Sequence, residues 1–546
     1  MTRTQAPDGA NAPLTELAKQ LLWDRLLALV EEQAQTLMRT AFSTVVREAG
    51  DLSAGVFDTQ GQMLAQAITG TPGHVNAMAA AVAHFLRRYP IDTLVDGDVL
   101  VTNDPWLGTG HLNDFTVVTP VFRGSACIAL FAATSHIADV GGRGFGPEAN
   151  DLFEEGLNIP ISKLLEAGER NETLFAIVAA NVRDPQVAEG DLYSLLTCNA
   201  TSASALIEAL DEFEQFDVGS IGAHVLAVSG RAMRAAIGAL PSGSAQHSMI
   251  VDGYDAPVTL CCQVRIDNTE HNEQISIDFA GTSGRANKGI NVPLNYTDAY
   301  ASFGVRCLVG NDIPNNAGSL APVTVTAPND CILNAQPPAA VSARHALGQL
   351  LPDVILGALG KLLPDAVPAE GAACIWNPVL LSDPGAEVPF VINPIYNGGT
   401  GARAHADGLS TTAFPSGVRT TPTEINEVSA PIVIWQREFA PGTGGAGAQR
   451  GGLGQRIEIS HAQNEPFWVS RMFDRVQHAA RGRAGGADGA AGWVGLKSGT
   501  VLRAKGKDKV PAGERLVMIT PGGGGYGDAN DRAIESIDRD KQDELI

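Results

Sequence analysis

GTGHLNDFTVVTPVF, residues 108–122, carries a His and an Asp, led in by glycine, straight into an apolar, β-branched run. Such side chains suit a pleated, half-buried surface, and the following run, SACIALFAATSHI (125–137), has the same texture. Arg123-Gly124 between them reads as the turn of an antiparallel hairpin, although it is not the favoured pair for a two-residue loop. That loop sets Phe122 opposite Ser125 and, carried along the strands, His111 opposite His136, within about 5.5 Å for directly opposed positions. Because side chains alternate faces along a strand, Asp114 joins them only if the Gly108-Thr-Gly110 lead-in turns the chain at Leu112-Asn113.

Two imidazoles and a carboxylate at one end of a sheet are the ligand types of a mononuclear zinc or manganese centre with a position open to water; iron fits the same donors. Upstream, VREAGDLS offers Glu48 and Asp51 as further carboxylates, and Asp139 follows in SHIADVGG. The competing reading is a set of hydrogen-bonded loop residues, the usual role of a single His before a strand. The residues alone leave both open. His74 in TPGHVNAM and His405-Ala-Asp407 in GARAHADG are pocket candidates or simply capping and solvated residues. Asn103-Asp104-Pro105 reads first as a turn initiator, because Asn and Asp bond nearby backbone and Pro fixes φ. Arg183-Asp184 reads as an anion site or a local ion pair.

A chain of 546 residues exceeds what one hydrophobic core usually supports, so two or three domains are expected. The hydrophobic content of 44% is that of a folded protein, and a net charge of -22 argues against nucleic-acid and membrane-surface roles. No apolar run approaches the roughly 20 residues of a membrane span, and the first residues lack the apolar core of a secretory signal, so a cytoplasmic location is expected. The seven cysteines lack CxxC spacing, which leaves any metal to His, Asp and Glu.

Along the chain, Leu17 to Val30 recur at helical spacing, predicting one long helix capped by Thr15 and running to about Phe42. SAGVFDTQGQMLAQ reads as a hairpin turning at Asp58-Thr-Gln-Gly61, with a helix over about 75–88 and helical composition over 191–238. Strands are expected over about 249–335 and a helix at about 343–363 despite Pro352. The Gly-rich last third reads as irregular β structure with long loops. The expected class is α+β, with an N-terminal helical and mixed-sheet unit (1–240), a β-rich middle unit with an inserted helix (241–390) and a Gly-rich C-terminal unit (391–546). No P-loop sequence exists, so no ATP site is assigned to this chain.

EAGDLSAGVFDTQGQMLAQ, GDVLVTNDPWLGTGHLNDFTVVTPVF, SHIADVGG, EEGLNIP, NVRDP, NDIPNNAGSLAPVTVTAP, NGGTGARAHADG, RGGLG and TPGGGGYGD together resemble the hydantoinase B/oxoprolinase family, in family order over nearly the whole chain. The resemblance implies a hetero-oligomer with an A-type ATPase subunit that binds ATP and phosphorylates the substrate oxygen. It also implies a divalent metal site on His111, Asp114, His136 and Asp51, or Glu48 in place of Asp51. Where family members often read ERxDFS, HLPD and PVHLGSM, this chain reads EAGDLS, HLND and TPGHVNAM, so the ligand letters persist among changed neighbours. The implied activity is ATP-dependent opening of a hydantoin, oxoproline or lactam ring by metal-activated water, with a nearby carboxylate or His74 moving protons and Asp104 or Asp139 orienting a ligating imidazole. An ATP-dependent ketone carboxylase and a non-catalytic, metal-pinned scaffold are the alternatives.

Overall fold

The N-terminal sheet owes its shape to the two runs quoted above, which are apolar on both faces. In the computed structural model, which describes residues 16–212 and 217–546, seven strands form one antiparallel sheet. They are β1 (Leu52–Phe57), β2 (Met63–Gln66), β3 (Val99–Thr102), β4 (Asp114–Arg123), β5 (Ala126–His136), β6 (Ser162–Glu166) and β7 (Glu169–Arg170), in the order β2-β1-β5-β4-β3-β6-β7. Helices cover both faces, and so β4 and β5 read as continuous apolar runs instead of alternating ones. Val117, Phe131 and Ala133 pack with Leu26, Leu29 and Leu195 on one side. Val118, Leu130 and Ala132 pack with Met78, Val82 and Phe85 on the other.

The helices are α1 (Glu16–Thr40), α2 (Thr44–Arg47), α3 (Pro72–Arg88), α4 (Glu172–Asn181), α5 (Pro185–Glu212), α6 (Val218–Gly238) and α7 (Leu294–Arg306). The expected long first helix is α1, ending two residues short of Phe42; its expected cap, Thr15, lies outside the described residues. The 75–88 helix begins slightly earlier, as α3, with Pro72 in its first turn where a missing N–H costs nothing.

Two expectations are corrected. First, the β4–β5 turn is Gly124-Ser125, with Gly124 at φ +64°, and not Arg123-Gly124. Glycine supplies the positive φ that a two-residue hairpin turn needs, and arginine does not. Moving the turn by one residue shifts each partner by two, and a bulge after Val121 adds a third, so His136 opposes Asp114 and not His111. Second, the 249–335 region is not all strand. It holds a four-stranded sheet (243–251, 258–267, 274–278 and 323–326) and also α7, whose Tyr296, Tyr300, Ala301 and Val305 are buried against the Leu351–Leu359 helix. Pro352 sits in the first turn of that helix.

The last third contains two further four-stranded sheets joined by extended glycine segments that bond to one another through their backbones, as from Gly452 N to Thr400 O and from Gly523 N to Gly452 O, both 2.9 Å. A Cβ on Gly399 would lie 1.9 Å from Gly452 O, and one on Gly523 1.9 Å from Thr400 O. Only glycine permits that approach. The architecture is thus α+β with several sheets and, among the described residues, no closed barrel.

Candidate metal centre

Gly110, at φ +101°, turns the chain just before β4, so that His111 points back at the strand's first residue, Asp114. Asn113 holds the end of β5, its Nδ2 donating to Ile137 O and its carbonyl accepting from Ile137 N. His136 is the last residue of β5, and its N–H donates to the carbonyl of Asp51, which immediately precedes β1. Three adjacent strand ends, of β1, β5 and β4, and one glycine turn therefore bring Asp51, His111, Asp114 and His136 to one edge of the sheet. Donor atoms of His111, Asp114 and His136 lie within 4.8 Å of one another, and all three residues are buried.

Asp114 is the hub. Its Oδ1 lies 2.6 Å from His111 Nε2 and 3.3 Å from His136 Nδ1, while Oδ2 accepts from Thr109 Oγ1 at 2.8 Å, from Arg344 and, at 2.8 Å, from His74 Nε2. Burial would raise this carboxyl, but His111, His74 and Arg344 outweigh it and hold the group well below the usual carboxylate range. His111 is pushed down to about 4 by burial, reinforced by Arg344. For His74 burial acts downward, yet the carboxylates of Asp114 and Asp51 prevail and raise it.

The donor set fits a divalent ion. His111 Nδ1 faces the carbonyl of Ser342 at 3.0 Å and must carry the hydrogen, which leaves the Nε2 lone pair 2.6 Å from Asp114 Oδ1. In the neutral imidazole that burial favours, two lone pairs then face each other, an arrangement a cation relieves. The Ser342 carbonyl is also the kind of partner that fixes the tautomer of a ligating histidine. His74 Nδ1 is buried 3.6 Å from Asp51 Oδ1, beyond hydrogen-bond reach, and has no hydrogen-bond partner among the described residues.

Beside these groups is a cavity of about 30 Å³, to which Asp51, His74, His111 and His136 contribute. Asp51 itself accepts from Thr71 Oγ1 at 3.0 Å. Among the wall residues not singled out from the sequence are Arg344, His345, Tyr296 and Phe145. Arg344 donates Nε to Thr109 O and stacks 4.0 Å over the Tyr296 ring. His345, driven down to about 3 by burial and Arg344, bonds Asn377 Oδ1 and stacks on Phe145. No local pattern marks them: Tyr296, Arg344 and His345 come from segments far along the chain, and Phe145 from the irregular loop after β5.

Other candidates lie apart. Glu48 pairs with Arg47 at 2.9 Å, outside the cavity. Asp104 accepts from the N–H groups of Trp106 and Leu107, which is the turn reading. Asp139 bonds Arg183 and Gly141 N, and does not orient a ligating imidazole here. His405 is exposed, and Asp407 pairs with Arg532.

Both fold and sequence place this geometry in a known lineage. The chain belongs to the hydantoinase B/oxoprolinase family, whose model matches residues 16–529. It is 26% identical to a protein of Pseudomonas sp. (strain NS671) assigned as the B-type subunit of a D-/L-hydantoinase, over 96% of this chain and 92% of that protein. It is 30% identical to 5-oxoprolinase 1 of Arabidopsis thaliana, over 92% of this chain but only 41% of that longer protein. The fold is that of the ATP-dependent caprolactamase of Pseudomonas jessenii, with a TM-score of 0.88, 24% identity and coverage of 98% of this chain and 95% of that one. Among the described residues no helix is long and apolar enough to cross a membrane.

Proposed function

We propose that this chain is the catalytic B-type subunit of an ATP-dependent cyclic amidase, acting on a hydantoin, oxoproline-like or lactam ring whose amide oxygen has been phosphorylated by an A-type ATPase partner. A cyclic amide resists hydrolysis because nitrogen lone-pair donation deactivates its carbonyl carbon, and phosphorylating the oxygen removes that protection. The observation that carries the proposal is the convergence of His111, Asp114 and His136 donors within 4.8 Å of one another, beside a cavity that His111, His136, His74 and Asp51 line.

In this reading His111, Asp114 and His136 hold a divalent ion, zinc, manganese or iron, with the Asp51 carboxylate as the upstream ligand. The ion would supply Lewis acidity and lower the pKa of water at its open position toward neutrality. Arg344 and Thr109 hold the Asp114 carboxylate in orientation through Oδ2. Ser342 fixes the His111 ring through Nδ1. His74 Nδ1, unpartnered beside the cavity, is the atom placed to take a proton as water attacks, with Asp51 beside it to stabilise the imidazolium; the proton returns to the substrate's ring nitrogen as the C–N bond opens, leaving an acyl phosphate that a second water hydrolyses to the carboxylate and inorganic phosphate.

The test is elemental analysis and ATP-dependent ring opening on protein co-purified with its A-type partner. One bound divalent ion per chain is expected, with ATP hydrolysis stimulated by hydantoins or lactams, both lost in His136→Ala. Stimulation by ketone plus bicarbonate alone would instead establish a carboxylase, and activity that survives loss of the metal would reduce the site to a structural pin.

A further inference from the structure

A second chamber of about 510 Å³ adjoins the metal cavity and shares with it the side chains of Val45, His136, Phe145 and Asn393. That is the size range of sites for small ligands. Phe145 lines both. Its ring stands 5.0 Å from His136, 5.6 Å from His111 and 5.6 Å from His345. Asn393 also lines both, and its Oδ1 is buried with no hydrogen-bond partner among the described residues.

The walls are largely hydrocarbon, with Phe42, Val187, Phe390 and Ile392 prominent. Besides His136, their charged groups are Asp139, Arg183 and Asp184, an anionic sum. The guanidinium is already paired, although half-exposed: Arg183 Nη1 meets Asp139 Oδ1 at 2.5 Å and Nη2 donates to Gly142 O at 2.7 Å. Asp184 is spent on the N–H of Val187 at the start of α5. A substrate carboxylate entering here would lose its hydration and gain no free cation from the chain.

We infer that this chamber is the substrate-binding site and that it selects uncharged cyclic amides bearing hydrocarbon, such as alkyl hydantoins or lactams, over rings that carry a carboxylate, such as 5-oxoproline. A ring N–H is the group that Asn393 Oδ1 recognises. The inference rests on the cyclic-amidase reading and narrows its substrate class.

The experiment uses the co-purified complex and two probes, 5-isopropylhydantoin and 5-oxoproline, measured as ATP-dependent ring opening. The expected result is a kcat/KM about tenfold or more higher for the hydantoin. Asp139→Asn, which releases Arg183, should move the ratio toward 5-oxoproline by about tenfold. Because Asp139 also holds loop backbone, Val391→Lys at the exposed chamber rim is the second variant and should shift the ratio the same way. Equal or better turnover of 5-oxoproline by the wild type, or a ratio unmoved in folded forms of both variants, overturns the inference and leaves the amidase reading intact. Failure of both probes where ketone plus bicarbonate succeeds overturns the two together.

Discussion

Asp114 accepts from His74, Thr109 and Arg344 and lies against the ring nitrogens of His111 and His136, so its replacement by Asn leaves buried donors facing an amide NH₂. Removing one partner from a buried charge network costs about 3–5 kcal/mol. Asp114→Asn should therefore lower the urea midpoint by a corresponding amount and abolish metal retention, read by equilibrium unfolding and elemental analysis. His74 separates differently. It touches Asp114 through Nε2 only, and its Nδ1 is the free atom. His74→Gln keeps a donor toward Asp114 and removes the titrating ring, so kcat should fall by about 10²–10⁴ with metal content nearly unchanged. A variant that loses metal in proportion to activity would make His74 a support for the ligands and not the proton carrier.

At the scale of elements, the two glycines on either side of β4, Gly110 before it and Gly124 in the turn after it, distinguish conformation from packing. Both have positive φ, but a Cβ on Gly124 would meet nothing within 4 Å, whereas one on Gly110 would lie 2.6 Å from Arg344 Nε. Gly124→Ala should cost about 1–2 kcal/mol, the left-handed penalty alone, and leave activity intact. Gly110→Ala adds displacement of Arg344 from Thr109 O and should lose activity as well as stability, which unfolding curves beside kinetics will show. Glu155 carries a pH prediction. Its Oε1 accepts the N–H groups of Val341 and Ser342, both at 2.7 Å, and so fixes the loop whose carbonyl holds His111. Burial pushes its carboxyl up from 4.5 to about 8. The folded state therefore binds the extra proton between those values, and stability falls as pH rises from about 4.5 to 8. In Glu155→Gln that slope should flatten, as measured by Tm from pH 5 to 9. The same hairpin shows what the sequence reveals. His111, Asp114 and His136 were legible because each abuts a strongly apolar strand. The register was not, because one choice of turn pair and one bulge decide it, and neither changes the apolar pattern. Helix α7 was missed because Asn295, Thr297, Ser302 and Gly304 are indifferent helix formers; packing of Tyr296 and Tyr300 against α3 at Gly73 sustains it.

For the molecule as a whole, the cavity is assembled from the end of the N-terminal sheet, the start of α3, the start of α7, the 344–349 segment and residues of the 375–377, 393–395 and 416–418 segments. Long-range contacts such as Arg344 to Asp114 leave no trace in local composition, which is why the ligand letters could be read and their cationic support could not. The acidic, β-rich surroundings and the glycine-rich last third were legible from composition because glycine there answers a simple steric demand. Since the site joins segments far apart in sequence, an ion bound in it is bound only by the folded chain, and its free energy adds to global stability by mass action. Free metal at about a thousand times its Kd is worth about 4 kcal/mol. Chelation should accordingly lower Tm, and zinc or manganese should restore it with a logarithmic dependence on free ion concentration. In Asp114→Asn and His136→Ala the dependence should vanish, whereas Glu48→Gln should retain it, because Glu48 is turned toward Arg47 and away from the cavity. A Tm indifferent to metal in the wild-type chain would mean that the imidazoles and carboxylates around Asp114 hold one another, and no ion.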